Sequence, residues 1–356
     1  MKKILIPSAI YTALLILFPT ASIDAAKSAL KVCTQSLVPS LFPFFVCSSM
    51  LLNSGAAEKL SKLLTPLMKP LFGLGGACSL PMIMGCISGY PVGAKAAADL
   101  YTSESCTKAE AEKLLAFCNN CGPMFVIGAL GSGMLQNAQI GVMLYFSHIL
   151  SSLAVAFIIR SVPACPLNRK RISQIKNCSL GEAFSDAVSS SVLLTLNICG
   201  FVIIFAILIS FIENMGLFAV LSSLGIDYGL CKSVIYGFTE CSGGCNAIAS
   251  FFPSSLPCYM LLSSVISWSG LCVHMQVLGI IRKAKLSPGL YFKGKALSAI
   301  ISPFITMILY AFQTGRLAPL PFIRIIIILA TFIFAAKKTI YVLKHFYFKY
   351  CAHPPR

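Results

Sequence analysis

The stretch GGACSLPMIMGCISGYPVGAKAAADL, residues 75–100, decides how this chain must be read. Most of it lies in a run, 70–94, that contains no Asp, Glu, Lys or Arg. Yet Pro81 and the sequence Ser88-Gly89-Tyr90-Pro91-Val92-Gly93 interrupt any helix drawn through it. Irregular backbone among apolar residues is tolerated at membrane depth where protein or a water-filled cavity satisfies the freed N–H and C=O groups. The segment therefore reads as a re-entrant hairpin or a discontinuous helix. The plainer alternative is a membrane helix kinked by Gly and Pro. Two further segments read alike: FCNNCGPMFVIGALGSG (117–133), broken at Gly122 and Pro123, and YGFTECSGGCNA (236–247), broken at Gly243 and Gly244.

Composition agrees with a membrane setting. Of the 356 residues, 57% are hydrophobic and 11% charged, with a mean hydropathy of +0.84. Soluble domains run about 45–50% apolar and about 25% charged. This excludes a soluble globular enzyme, a disordered chain and a secreted disulfide scaffold. The fold class is an all-α polytopic membrane protein. Charge-free runs at 4–23, 32–57, 70–94, 114–159, 187–212, 241–281 and 296–315 mark its spans, with a last one after Arg324 to about 336. A net charge of +17 fits basic cytoplasmic loops and implies no nucleic-acid partner. Most of the 16 cysteines, Cys47, Cys78, Cys199 and Cys272 among them, sit in apolar runs as small hydrophobes. The close pairs Cys118/Cys121 and Cys241/Cys245 lack a second pair or a nearby His, so no metal is expected.

Lysines and arginines set the topology. With Lys2 and Lys3 inside, helix 4–23 exits and 32–55 returns. The segment 75–100 dips in from the inside, 114–132 exits and 138–160 returns to Arg160, Arg169, Lys170, Arg171 and Lys176. Helix 187–212 exits, 228–252 dips from the outside, and 255–281 returns to the basic cluster 282–295. Helices 296–314 and 318–336 complete about eight full crossings and two hairpins. This path leaves 23 of the 28 basic residues inside, the exceptions being Lys27, Lys31, Lys232, Arg316 and Arg324. The alternative for residues 1–25 is a cleaved signal peptide.

The halves resemble each other. PFFVCSSMLLNSG (43–55) parallels IFAILISFIENMG (204–216), GCISGYPVGAKA (85–96) parallels GFTECSGGCNAI (237–248), and NNCG (119–122) parallels SWSG (267–270). The flanking charges are swapped. The first half has neutral SGMLQNAQ (132–139) before its closing helix and basic residues after it, and the second half has the reverse. That sign change predicts an inverted-topology repeat, the plan of secondary transporters whose substrate sits at mid-membrane between repeats. The expected organisation is an N-terminal helix (1–30), a first repeat (31–162), a basic loop (163–180), a second repeat (181–315), a last helix (316–336) and a basic tail (337–356).

The breaks are where a solute would be held, because a half-helix start offers N–H groups to an anion. Candidate substrate-binding residues are Ser88, Gly89, Tyr90, Pro91, Gly93, Lys95, Asn119, Asn120 and Gly122. Lys95 would bring a positive charge to the first break, or else snorkel to the surface. Asn119 and Asn120 would hydrogen-bond a substrate or cap the broken helix. Tyr90 suits a flat aromatic ligand or interfacial anchoring. Glu240, isolated in apolar sequence, is the candidate for proton coupling, cation binding or an ion pair with Lys95; the plainer reading is a boundary carboxylate. His148 and His274 read as packed histidines. No hydrolase elbow, Walker loop or His-Glu-x-x-His motif is present, so neither a catalytic residue nor a cofactor is assigned and the chain does not itself hydrolyse ATP.

LVPSLFPFFVCSSMLL (37–52), LLTPLMKPLFG (63–73), MGCISGYPVGAKAAADL (84–100) and EAEKLLAFCNNCGPMFVIGALG (110–131) resemble the family of the sporulation integral membrane protein YlbJ, within the wider group carrying the nucleoside-recognition Gate domain. The resemblance covers about residues 30–315 and is most specific in the first half, with Cys121 standing where a Ser is expected. In the second half Gly237 and Glu240 are its best anchors. It implies a role in endospore formation, in the mother-cell-derived outer forespore membrane, moving dipicolinic acid, a flat aromatic dianion. Nucleoside or nucleobase transport and a non-transporting structural role are the alternatives, and a homo-oligomer is left open.

Overall fold

Proline and glycine decide where the helices of this chain stop. A computed structural model describes residues 2–53, 56–162 and 179–315, and all regular structure among them is helical. Helices α1 (Lys2–Leu17) and α2 (Pro19–Val32) meet at a bend of 100°. Pro19 opens α2, where its missing N–H costs nothing, and it cannot continue α1. The straight helix expected over 4–23 is therefore two. A π-helical turn, Cys33–Leu37, leads into α3 (Val38–Asn53). Next come α4 (Ala56–Leu67) and α5 (Ser79–Ile87), with a turn of 102° between them where Gly73 takes φ 63°.

Helices α6 (Val92–Thr102) and α7 (Lys108–Leu115) follow, then a π-helical segment, Met124–Met134, and α8 (Ala138–Ile158). The second half contains α9 (Leu180–Asn214), α10 (Leu217–Ser223), α11 (Tyr228–Thr239), α12 (Cys241–Phe251), α13 (Leu256–Trp268), α14 (Gly270–Lys283) and α15 (Gly289–Gln313). Four stretches among the described residues are long and apolar enough to cross a bilayer: 138–161, 180–214, 256–283 and 289–313. Counting each bent pair as one crossing gives six. The eight expected crossings are thus matched in part. The segment 316–336, the tail 337–356 and residues 163–178 of the basic loop lie outside the described residues.

Side-chain bonds fix how the elements run. At one end of the molecule, Lys113 Nζ donates to the carbonyls of Arg160 (2.8 Å) and Val162 (3.3 Å), just past α8. Its neighbour Glu112 accepts from the Ser287 N–H at 2.8 Å, just before α15. So α8 arrives where α15 departs, and the two lie antiparallel, joined midway by Ser151 and Ser298 (2.8 Å). At the other end α13 starts beside the close of α15, with the Tyr259 and Tyr310 rings 5.6 Å apart. Helices α5 and α6 fold back on each other at Gly85 and Gly93, and α11 and α12 at Gly237 and Gly244; a methyl group on Gly93 would strike the Gly85 backbone and one on Gly244 the Gly237 backbone. The first hairpin opens toward the Lys113 end, and the second, whose Tyr228 and Phe251 rings meet at its mouth, toward the other.

Helix α15 starts earlier than the charge pattern suggested, at Gly289 rather than 296. Its buried face is polar: Tyr291, Lys295, Ser298, Ser302 and Thr306 fall on one stripe of helical spacing. Lys293, two residues from Lys295 and so nearly opposite it, is exposed. Lys295 was expected in a solvated loop and is instead 3% exposed.

Candidate functional site

The tip of each hairpin rests on a break between two helical segments. Gly89, at the tip of α5–α6, has φ 80°, and a methyl group there would lie 2.7 Å from the Gly122 nitrogen. Gly122 belongs to the break between α7 and the π-helical segment. Gly270, at the break between α13 and α14, has φ 79° and would meet the Cys241 nitrogen at 3.0 Å and Glu240 Cα at 3.1 Å. Glu240 is the tip of α11–α12. Only glycine allows both the left-handed backbone and the contact. Trp268 and Phe238 tie the second junction, with rings stacked 5.3 Å apart and the indole N–H on the Phe238 carbonyl at 3.1 Å.

One cavity lies between the tips. Its walls include Ser88, Gly89, Tyr90, Cys121, Gly122, Glu240, Cys241, Ser242, Cys272 and Gln276, closed by apolar side chains of α9 and the Leu37–Leu41 stretch. It offers about 60 Å³ to the centres of water-sized molecules, room for about four waters at ~10–15 Å³ each. In this conformation the cavity is smaller than a pyridine or a nucleobase needs.

Glu240 is the N-cap of α12. Its carboxylate accepts from the Ser242 N–H (2.9 Å), the Ser242 hydroxyl (2.7 Å) and the Gly243 N–H (2.6 Å). A carboxylate at bilayer depth costs about 2.5–3.5 kcal/mol on insertion scales. Hydrogen bonds to a charged group contribute about 1.5–3 kcal/mol each, which offsets that cost. The start of α12, which an outside anion would otherwise seek, is thus filled by the chain's own carboxylate.

Of the residues singled out in the sequence, Ser88, Gly89, Tyr90, Gly122 and Glu240 line the cavity, and five others do not. Pro91 is the uncapped start of α6, preceded by a cis bond from Tyr90. Gly93 packs on the Cys118 carbonyl. Lys95 is exposed on α6, one turn from Asp99, and makes no ion pair with Glu240. The Asn120 amide donates to the Phe117 carbonyl (2.9 Å) and the Ser152 hydroxyl (3.2 Å), so it caps the end of the α7 turn and fastens it to α8. Asn119 is buried with its side-chain oxygen unpartnered and only the Tyr291 hydroxyl near its amide nitrogen, while its carbonyl accepts from Lys295 Nζ at 3.1 Å.

Sequence reasoning missed Lys295 and Gln276, whereas His148, read there as a packed histidine, is buried and hydrogen-bonded as expected. His148 accepts the Cys121 N–H through Nε2 (2.9 Å) and meets the Ser267 hydroxyl through Nδ1 (2.9 Å), so it joins the first break to α13. The signal was present as buried polar stripes, Ser147, His148, Ser151 and Ser152 on α8 and the stripe on α15. Reading them required the helical register rather than charge gaps.

Comparison with known proteins adds two findings. Residues 34–162 match the Gate family, described as nucleoside recognition. The chain is similar to the sporulation integral membrane protein YlbJ of Bacillus subtilis (strain 168), with 30% identity over 326 aligned residues that cover 84% of this chain and 80% of that protein. No solved structure matches.

Proposed function

The chain belongs to the family of the sporulation integral membrane protein YlbJ, and on that footing we propose that it is a carrier for a small aromatic or carboxylate anion, dipicolinate foremost, in the outer forespore membrane. The observation that supports this reading is the meeting of two hairpins, entering from opposite ends, on two broken spans at one buried cavity. A carrier needs such a place, reachable from either face in turn. The paired junctions Gly89–Gly122 and Glu240–Gly270 fall where the sequence halves align, and α8 runs against α15. Both are what two inverted repeats, 31–162 and 181–315, would give. Reaching eight crossings would require more spans than the six that the described residues allow, with 316–336 among them.

In the proposed cycle the tips separate from their breaks on one side at a time. Tyr90 lies against the aromatic ring, and Glu240, held by α12, exchanges a proton with the cavity during the cycle. The cavity also favours a second reading. Its capped carboxylate, with Ser242 and Gln276 beside it, offers hydrogen bonds to a neutral sugar or base, in keeping with the Gate family's description. Uptake into proteoliposomes separates the two. Labelled dipicolinate should enter saturably and be displaced by unlabelled dipicolinate but not by uridine. Displacement by uridine alone would replace the anion with a nucleoside. Uptake of neither would leave a structural protein of the sporulation membrane.

A further inference from the structure

Lys295 is a cation without a counter-ion. It is 3% exposed, and among the described residues its single bond is to the backbone carbonyl of Asn119. An ammonium has three N–H donors, and a buried charge is ordinarily paired. The described carboxylates nearest this part of the fold are committed elsewhere. Glu110 takes the Gly75 and Thr107 N–H groups, Glu112 the Ser287 N–H and Lys108, and Glu240 the start of α12.

Beside that cation lies a second anomaly. The Asn119 side chain is 1% exposed, its amide oxygen is without a partner, and its nitrogen has only the Tyr291 hydroxyl near it. Buried polar atoms are bonded in about nine cases of ten. The Tyr291 hydroxyl neighbours this amide and binds His274 Nδ1 at 2.8 Å, while His274 Nε2 is again unpartnered. One buried positive charge and an amide with a free oxygen thus adjoin where α15 meets the first break, with Tyr291 and His274 beyond them. Cys121 and Cys241, which line the cavity, are electrostatic neighbours of Lys295, so the cluster lies behind the cavity wall.

We propose that Lys295 and the side chain of Asn119 are the subsite that grips a carboxylate of the transported anion, reached from the cavity when the tip at Gly89 moves off the break at Gly122. The inference rests on the carrier reading and names the residues that hold its charge. A carboxylate complements the pair, since it accepts from the ammonium and the amide N–H groups and neutralises the buried charge.

The test is binding by purified protein in detergent, read as a ligand-induced rise in melting temperature and by calorimetry. The probes are pyridine-2,6-dicarboxylate, its dimethyl ester and uridine. Wild type should bind the diacid at least about 10-fold more tightly than the ester. Lys295→Met should weaken the diacid about 10- to 100-fold, the loss of one or more charged hydrogen bonds, and Lys295→Arg should recover most of that. Asn119→Asp should abolish diacid binding without lowering the melting temperature, because it supplies the missing counter-ion from within. Diacid binding by Lys295→Met or Asn119→Asp at wild-type strength overturns the subsite and leaves the carrier reading standing. Should Lys295→Met fail to fold, Asn119→Asp and the diacid-to-ester ratio of the wild type decide; equal binding of diacid and ester overturns the proposal. Wild type that binds uridine and neither pyridine overturns the anion reading itself, and the subsite falls with it.

Discussion

At the residue scale, the sharpest consequence concerns Glu240, which both caps α12 and lines the cavity. Removing an N-cap acceptor costs about 0.5–2 kcal/mol. Glu240→Ala should therefore lower the melting temperature of the purified protein, while Glu240→Gln, which keeps one oxygen for the two donors on Oε2 and loses the acceptor for the Ser242 N–H, should lower it less. In proteoliposomes Glu240→Gln should nonetheless stop responding to an imposed pH gradient, since a neutral amide carries no proton. Uptake that still follows the gradient would reduce Glu240 to a cap. Lys95→Ala is the contrasting case. Its side chain is exposed and away from the cavity, so stability should change by less than about 0.5 kcal/mol and dipicolinate uptake should persist. Glu240 was legible in the sequence because no acidic residue follows it and apolar residues surround it. Lys295 was not, because it closes a cluster of lysines that reads as a solvated loop. Only the spacing from Tyr291 through Ser298 and Ser302 places it on an inner face.

At the scale of elements, the junctions carry the architecture. Gly89→Ala and Gly270→Ala each force a side chain into left-handed backbone, at about 1–2 kcal/mol, and against a facing backbone 2.7–3.0 Å away. Overpacking adds about 1–3 kcal/mol. Both variants should melt several degrees below wild type and, if they fold, bind solute poorly. Gly200→Ala is the control. It lies inside α9 with nothing near its would-be Cβ, so the higher helix propensity of alanine should hold or raise the melting temperature. A drop at Gly200 equal to that at Gly89 would mean that glycine loss harms this protein generally and not through the junctions. The hairpins were legible because Gly and Pro punctuate runs that are otherwise uniformly apolar. The bend at Phe18–Pro19 was equally visible as a proline, but length alone argued for one helix, and length does not register a turn made inside a span. The break at Ser269–Gly270 has no proline, and only its likeness to NNCG pointed to it.

At the scale of the whole molecule, charge and helix direction make one claim together. Lys108, Lys113, Arg160, Arg282, Lys283 and Lys285 gather toward the end where α8 arrives and α15 departs, as the bonds of Glu112 and Lys113 fix it. A basic end belongs on the cytoplasmic side. Lys232, an exception in the charge count, sits near the opposite mouth, where Glu213 pairs with it at 2.7 Å and the Tyr228 and Tyr236 rings lie within 6 Å. Paired in that way it weighs little against the rule. Epitope tags inserted after Ser161 and after Lys285 should therefore be read by antibody from the same side, the cytoplasmic one. Tags after Gly225 and after Ser254 should be read from the other, in intact cells or sealed vesicles of known orientation. The first pair tests the antiparallel relation of α8 and α15, and the second tests the direction from which α11–α12 enters. Tags at 161 and 285 on opposite faces would make the two halves parallel. Two parallel halves would bring both hairpins in from one face, and a cavity closed by tips from both ends could not form between them.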